Sequence, residues 1–146
     1  IDNSTIINSI IFNSIINNIN IINVTMTESV APTVSSTNFA NNFAVNSNIT
    51  ITFSEAMDPD TITTNTGDTQ CSGNILLSKD NFATNTCVQM SSGDPSTSDN
   101  ITYTLNPSSN LSLKESYKLR VTIDVKDPSG NNMSSQYELT RSTQED

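Results

Sequence analysis

The 146 residues carry 15 acidic and 6 basic side chains, for a net charge of −9 and a pI near 4.1, and contain neither Trp nor His. That balance repels phosphate backbones and anionic membrane surfaces, which excludes nucleic acid as a partner. At 34% hydrophobic and 5% aromatic, the chain suffices for one domain of roughly 100 to 120 residues with a mainly aliphatic core, plus an arm.

The first 30 residues form the arm and its linker. Asn3, Asn8, Asn13, Asn18 and Asn23 recur at a strict period of five, separated by Ile6-Ile7, Ile10-Ile11, Ile15-Ile16 and Ile21-Ile22. A helix is one reading, because Ile7, Ile10, Ile11, Ile15, Ile19 and Ile22 fall three and four apart. Propensity opposes it: Ile and Asn each cost several tenths of a kcal/mol relative to Ala, so β-branched enrichment favours extended structure. Either way, Ile6, Ile7, Ile10, Ile11, Ile15, Ile16, Ile19, Ile21 and Ile22 must be covered. The shelter is the chain's own domain, a preceding domain, or a neighbouring copy that takes the arm as an added strand. A Pro-free, uncharged, β-rich segment of this kind aggregates unless sheltered, which points to an assembly arm.

Met26 to Pro32 reads as a linker, and residues 31–146 as the globular part. Its clearest strand is Asn48-Ile-Thr-Ile-Thr-Phe-Ser-Glu-Ala-Met-Asp58, where Ile49, Ile51 and Phe53 alternate with Thr50, Thr52 and Ser54. With Thr33-Val-Ser-Ser-Thr37, the Tyr117-Lys-Leu-Arg-Val-Thr122 stretch and Val125-Lys-Asp-Pro-Ser-Gly-Asn131, this segment resembles the bacterial Ig-like domains of the SbsA type over about residues 31–142. The resemblance implies an immunoglobulin-like sandwich. Where that family commonly carries Pro after Thr37, this chain has Asn38, so the first kink is expected to be altered.

Further strands are expected at Asn74–Ser78, Cys87–Met90 and Asn100–Leu105, with Ser91–Asp99 an exposed loop. Ser116–Val125 is expected to be the longest strand, with Tyr117, Leu119, Val121, Ile123 and Val125 on one face and Lys118, Arg120, Thr122 and Asp124 in water. A tight turn at Asp127–Asn131 and a closing strand at Gln136–Thr140 complete the set. The fold class is therefore all-β, an Ig-like antiparallel β-sandwich of about seven strands with an extended N-terminal arm. Cys71 and Cys87, alone in a Ser/Thr/Asn-rich chain, are expected to form a disulfide worth about 3 kcal/mol on the chain-entropy estimate.

Chemistry is sparse. Without His or a Ser paired to a base, acyl transfer and metallohydrolysis are excluded, and the protein is not expected to be an enzyme. No cofactor is expected apart from calcium, for which Asp58 and Asp60, or Asp124, Asp127 and Asn131, supply loop oxygens. Glycosylation candidates stand at Asn3, Asn23, Asn48, Asn100, Asn110 and Asn132, each in an Asn-X-Ser/Thr sequon. No signal peptide or bilayer-length apolar run is present, so the chain reads as a processed or excised segment with no membrane insertion. Two functions fit these features. One is a structural subunit of an extracellular fibre or cell-surface assembly, a homo-polymer joined through the N-terminal arm. The alternative is an Ig-like spacer or adhesion module of a larger cell-surface protein.

Overall fold

The structure, a computed structural model, describes residues 29–93 and 95–146. The assembly-arm isoleucines, Asn3 and Asn23 lie outside these residues. The described residues form seven strands: β1 (Val34–Thr37), β2 (Ile49–Phe53), β3 (Ile75–Ser78), β4 (Ser96–Thr97), β5 (Thr102–Leu105), β6 (Ser116–Val121) and β7 (Tyr137–Ser142). They form two antiparallel sheets, one ordered β1-β2-β5-β4 and the other β3-β6-β7.

Period-two patterning positions the core. In β2, Ile49, Ile51 and Phe53 are buried while Thr50 and Thr52 are half-buried. The register sets Ile51 opposite Tyr103 of β5, and Leu119 of β6 between Leu77 of β3 and Leu139 of β7. The inner faces of both sheets thus meet through Ile49, Ile51, Ile75, Leu77, Leu105, Leu119 and Val121, each fully buried. Burying such a side chain stabilises by about 1.5–3 kcal/mol. The few aromatics add edge-to-face pairs, Phe39 with Phe43 at 5.2 Å and Phe53 with Tyr103 at 5.9 Å.

Between β1 and β2, which share a sheet, the connecting segment reaches over to the other sheet and returns. Asn38, in place of the expected Pro, uses its side chain as a backbone surrogate: Nδ2 donates to Asn48 O at 3.0 Å and Oδ1 accepts from Thr50 N at 2.8 Å. The crossing buries Phe39 and Phe43, and Phe43 then meets Thr143, just beyond β7, in a parallel bridge. Beside it, where the chain passes from β5 to β6, Tyr117 Oη accepts from Ser112 N at 3.0 Å. This is the tyrosine-corner arrangement of Ig-like sandwiches.

Several expectations are corrected. Cys87–Met90 is no strand: it makes isolated bridges, Ser78 to Cys87 and Met90 to Pro107. Ser96–Thr97, expected in a loop, pairs with β5, because the two-residue ladder needs backbone groups and no apolar side chain. β6 ends at Val121, opposite Tyr137 where β7 begins: Thr122 N still reaches Asn74 O beside β3, but the chain turns at residues 123–124, so Ile123 is 49% exposed, although Val125 is buried. Lys118 and Arg120 are half-buried rather than plainly solvated.

Candidate functional site

A β-sandwich has four sheet edges where backbone groups can accept another chain. Three are protected. β1 carries a register shift between Val34 and Ser36, and such bulges deter pairing. β4 is only two residues long. The outer edge of β3 is covered by the stapled loop, where Val88 N donates to Leu77 O at 2.8 Å.

The fourth edge, β7, is six residues long without Pro or bulge. Ser142 at its end is occupied: its N–H meets Asn41 Oδ1 at 3.3 Å and its carbonyl accepts from Phe43 N at 3.1 Å. Alternate residues of a strand aim their backbone groups the same way. Glu138 and Thr140 therefore also point away from β6. Among the described residues, only Arg141 Nη1 reaches this row, donating to Thr140 O at 2.8 Å. On the inner face of the same strand, Tyr137 and Leu139 pack on the core yet remain half-buried.

The outer face of this sheet is held by charge. Glu138 Oε1 accepts from Arg120 Nε at 2.7 Å and from Gln136 Nε2 at 2.9 Å, and its Oε2 lies 3.8 Å from Lys118 Nζ. Arg120 Cζ stacks 3.7 Å above the Phe82 ring, and Lys118 Nζ donates to Asn81 Oδ1 at 2.7 Å. Residues 81 and 82 reach this face because Ser78 Oγ accepts from both Asp80 N and Phe82 N and bonds Thr86, folding the loop back over the sheet. The Cys71–Cys87 disulfide, with Cα atoms 5.1 Å apart, anchors that loop. Periodicity alone could not find the Arg120–Phe82 contact, whose partners are far apart in sequence and meet only through the loop.

The expected calcium ligands serve turns. Asp58 Oδ1 accepts from Asp60 N at 3.1 Å, capping the short 3-10 turn Pro59–Thr61. Asp127 is buried, and both its oxygens are engaged by Asn131, Oδ1 from the backbone N at 2.8 Å and Oδ2 from Nδ2 at 2.7 Å. Burial pushes the Asp127 carboxyl up, but the Asn131 side chain and the Asn131, Ser129 and Gly130 amides outweigh it and hold the group below the usual carboxylate range. Asp124 is exposed. Among the described residues no three His, Cys, Asp or Glu side chains form a group able to hold a metal ion.

Asp99 is likewise lowered, chiefly by the Thr102 and Ile101 amides that donate to Oδ1. The Tyr103 hydroxyl, buried without a hydrogen-bond partner among the described residues, is raised by burial and then by the charges of Asp58 and Asp99. A surface hollow of about 350 Å³ beside the stapled loop is lined by Lys79, Gln89, Asn110 and Tyr117 among others, and presents no acid–base pair. The sequon residues Asn48, Asn100, Asn110 and Asn132 are all exposed, and Asn132 Nδ2 donates to Ile123 O at 2.8 Å.

A family model described as Bacterial Ig-like domain matches residues 28–143. The chain belongs to that family. This Ig-like domain also resembles S-layer protein structures. Against the crystal structure of the S-layer protein rSbsC(31-844) the TM-score is 0.51, with 17% identity over 77% of this chain and 14% of that one. The N-terminal part of the bacterial S-layer protein SbsC gives 0.50 and 19% identity over 77% and 24%. Domains 1-6 of surface layer protein SbsC give 0.51 and 18% identity over 78% and 14%. The Ig-like domain thus spans between 14% and 24% of those chains. No curated protein sequence matches it. The sandwich fold expected from sequence is the one observed, and no described helix is long and apolar enough to cross a membrane.

Proposed function

We propose that this Ig-like domain is a non-catalytic structural subunit of an extracellular or cell-surface assembly, polymerising by docking its Ile-rich N-terminal arm into a neighbouring copy. The observation that carries the reading is a mismatch. The described residues already close a filled core, whereas residues 3–27 contain no charged side chain and nine isoleucines that need cover. Likeness to domains of S-layer proteins supports the surface setting, as does a disulfide, a bond that persists in oxidising compartments.

Sedimentation and electron microscopy of the full chain beside a chain lacking residues 1–27 test the reading. Docking requires the full chain to assemble and the truncated chain to stay monomeric with an intact sandwich. Equal behaviour of the two favours the second reading, a spacer or adhesion module of a larger surface protein. That alternative draws on the small share of each S-layer chain that one such domain covers.

A further inference from the structure

We infer that the acceptor for the arm is the β7 edge of a second copy, and that the docking segment is Ile22-Asn-Val-Thr-Met-Thr27. This inference rests on the arm-docking reading above and adds to it the surface and the strand. In the described residues β7 is the one edge lacking a bulge, a cover or extreme shortness. It offers Glu138 N–H, Glu138 C=O and Thr140 N–H, with Arg141 lying over the Thr140 carbonyl. Phe43 fills only the Thr143 end, and it does so in parallel, so this edge already accepts a strand-like partner over part of its length.

The arm's sequence supplies a matching pattern. Ile22, Val24 and Met26 alternate with Asn23, Thr25 and Thr27, the longest apolar-polar alternation in residues 1–28. An added strand with its apolar face inward would cover the half-buried Tyr137 and Leu139, and its polar face would continue the outer face of Glu138 and Thr140. Residues 28–33, which join this segment to β1, span at most about 25 Å when extended, so the segment stays near its own domain and pairs with a neighbour where two copies lie side by side.

The test uses full-length chains. Thr140→Pro removes a donor that points away from β6, a position where an edge strand tolerates Pro, and Val24→Asp places a charge on the inward face of the arm. Both variants are expected to be monomeric at concentrations where the wild type assembles. A mixture of Leu139→Cys chains with chains carrying Ile22→Cys, Val24→Cys or Met26→Cys is expected to give a reducible covalent heterodimer in at least one register. That mixture decides the matter alone if Thr140→Pro fails to fold.

Wild-type assembly by Thr140→Pro together with no heterodimer overturns the β7 assignment. If removal of residues 1–27 still abolishes assembly in that case, only the edge is wrong; if it does not, or if the wild type never assembles, the arm reading falls as well. A cross-link forming only within one chain carrying both cysteines overturns docking between copies and makes the arm a strand of its own subunit.

Discussion

Tyr117 and Ser112 are joined across the corner that leads into β6, the phenol oxygen accepting the Ser112 amide at 3.0 Å. Tyr117 is otherwise a core residue, its ring buried. One residue therefore fixes both the packing of β6 and the path of the chain between sheets. Thr143 reinforces the same corner, its Oγ1 donating to Ser112 O at 2.7 Å. Tyr117→Phe should keep the packing and strand the amide, lowering stability by about 1 kcal/mol. The check is a urea midpoint that falls with an unchanged m-value; a larger loss with altered m would mean that the corner itself rearranges.

The disulfide closes a sequence separation of 16 residues around a loop that otherwise hangs on Ser78 Oγ. Reduction, or Cys71→Ser with Cys87→Ala, should cost about 3 kcal/mol on the chain-entropy estimate. The far-ultraviolet signature of the sheets should persist while protease cleavage appears first between residues 79 and 87.

Arg120 joins Phe82 and Glu138, and the second link is accessible to a double-mutant cycle. Arg120→Ala combined with Glu138→Ala should reveal a coupling of about 0.5–1 kcal/mol, because both side chains retain a quarter to a third of their exposure and salt screens them. Raising ionic strength should shrink that coupling. Arg120→Lys should recover little of it, since a compact ammonium cannot stack on Phe82 and fork to the carboxylate together.

Much of this fold was legible because it rests on period-two burial. Ile49, Ile51 and Phe53 announce β2 wherever their partners lie, and the pairing of Cys71 with Cys87 needed only a count. Strand ends were less legible: the β6 alternation continues in sequence to Val125, but its partner β7 begins only at Tyr137, opposite Val121, and nothing local in β6 marks that limit. The roles of Asn38 and Ser78 were hidden for a related reason. An Asn or Ser side chain that substitutes for backbone looks like any loop residue until its remote partner is known. The candidate site was legible only on one side. The arm stands out by composition, whereas the openness of β7 depends on which of four edges the rest of the chain happens to cover.

Asp127 gives the fold an acid-sensitive turn. Its carboxyl is held below the usual range in the folded protein, because the Asn131 side chain and three amides favour the charged form against the cost of burial. A depressed folded value means that the stabilisation is present above the unfolded value of about 4 and fades as pH falls through the folded one. Asp99 acts with the same sign through the Thr102 and Ile101 amides. Asp127→Asn should therefore lie below the wild type in urea midpoint at pH 7, and the gap should narrow as pH drops below about 4, where the unfolded chain takes up the proton first, and close once pH passes below the folded value. A gap of constant size from pH 7 to pH 2.5 would show that the turn depends on the shape of the side chain and not on its charge.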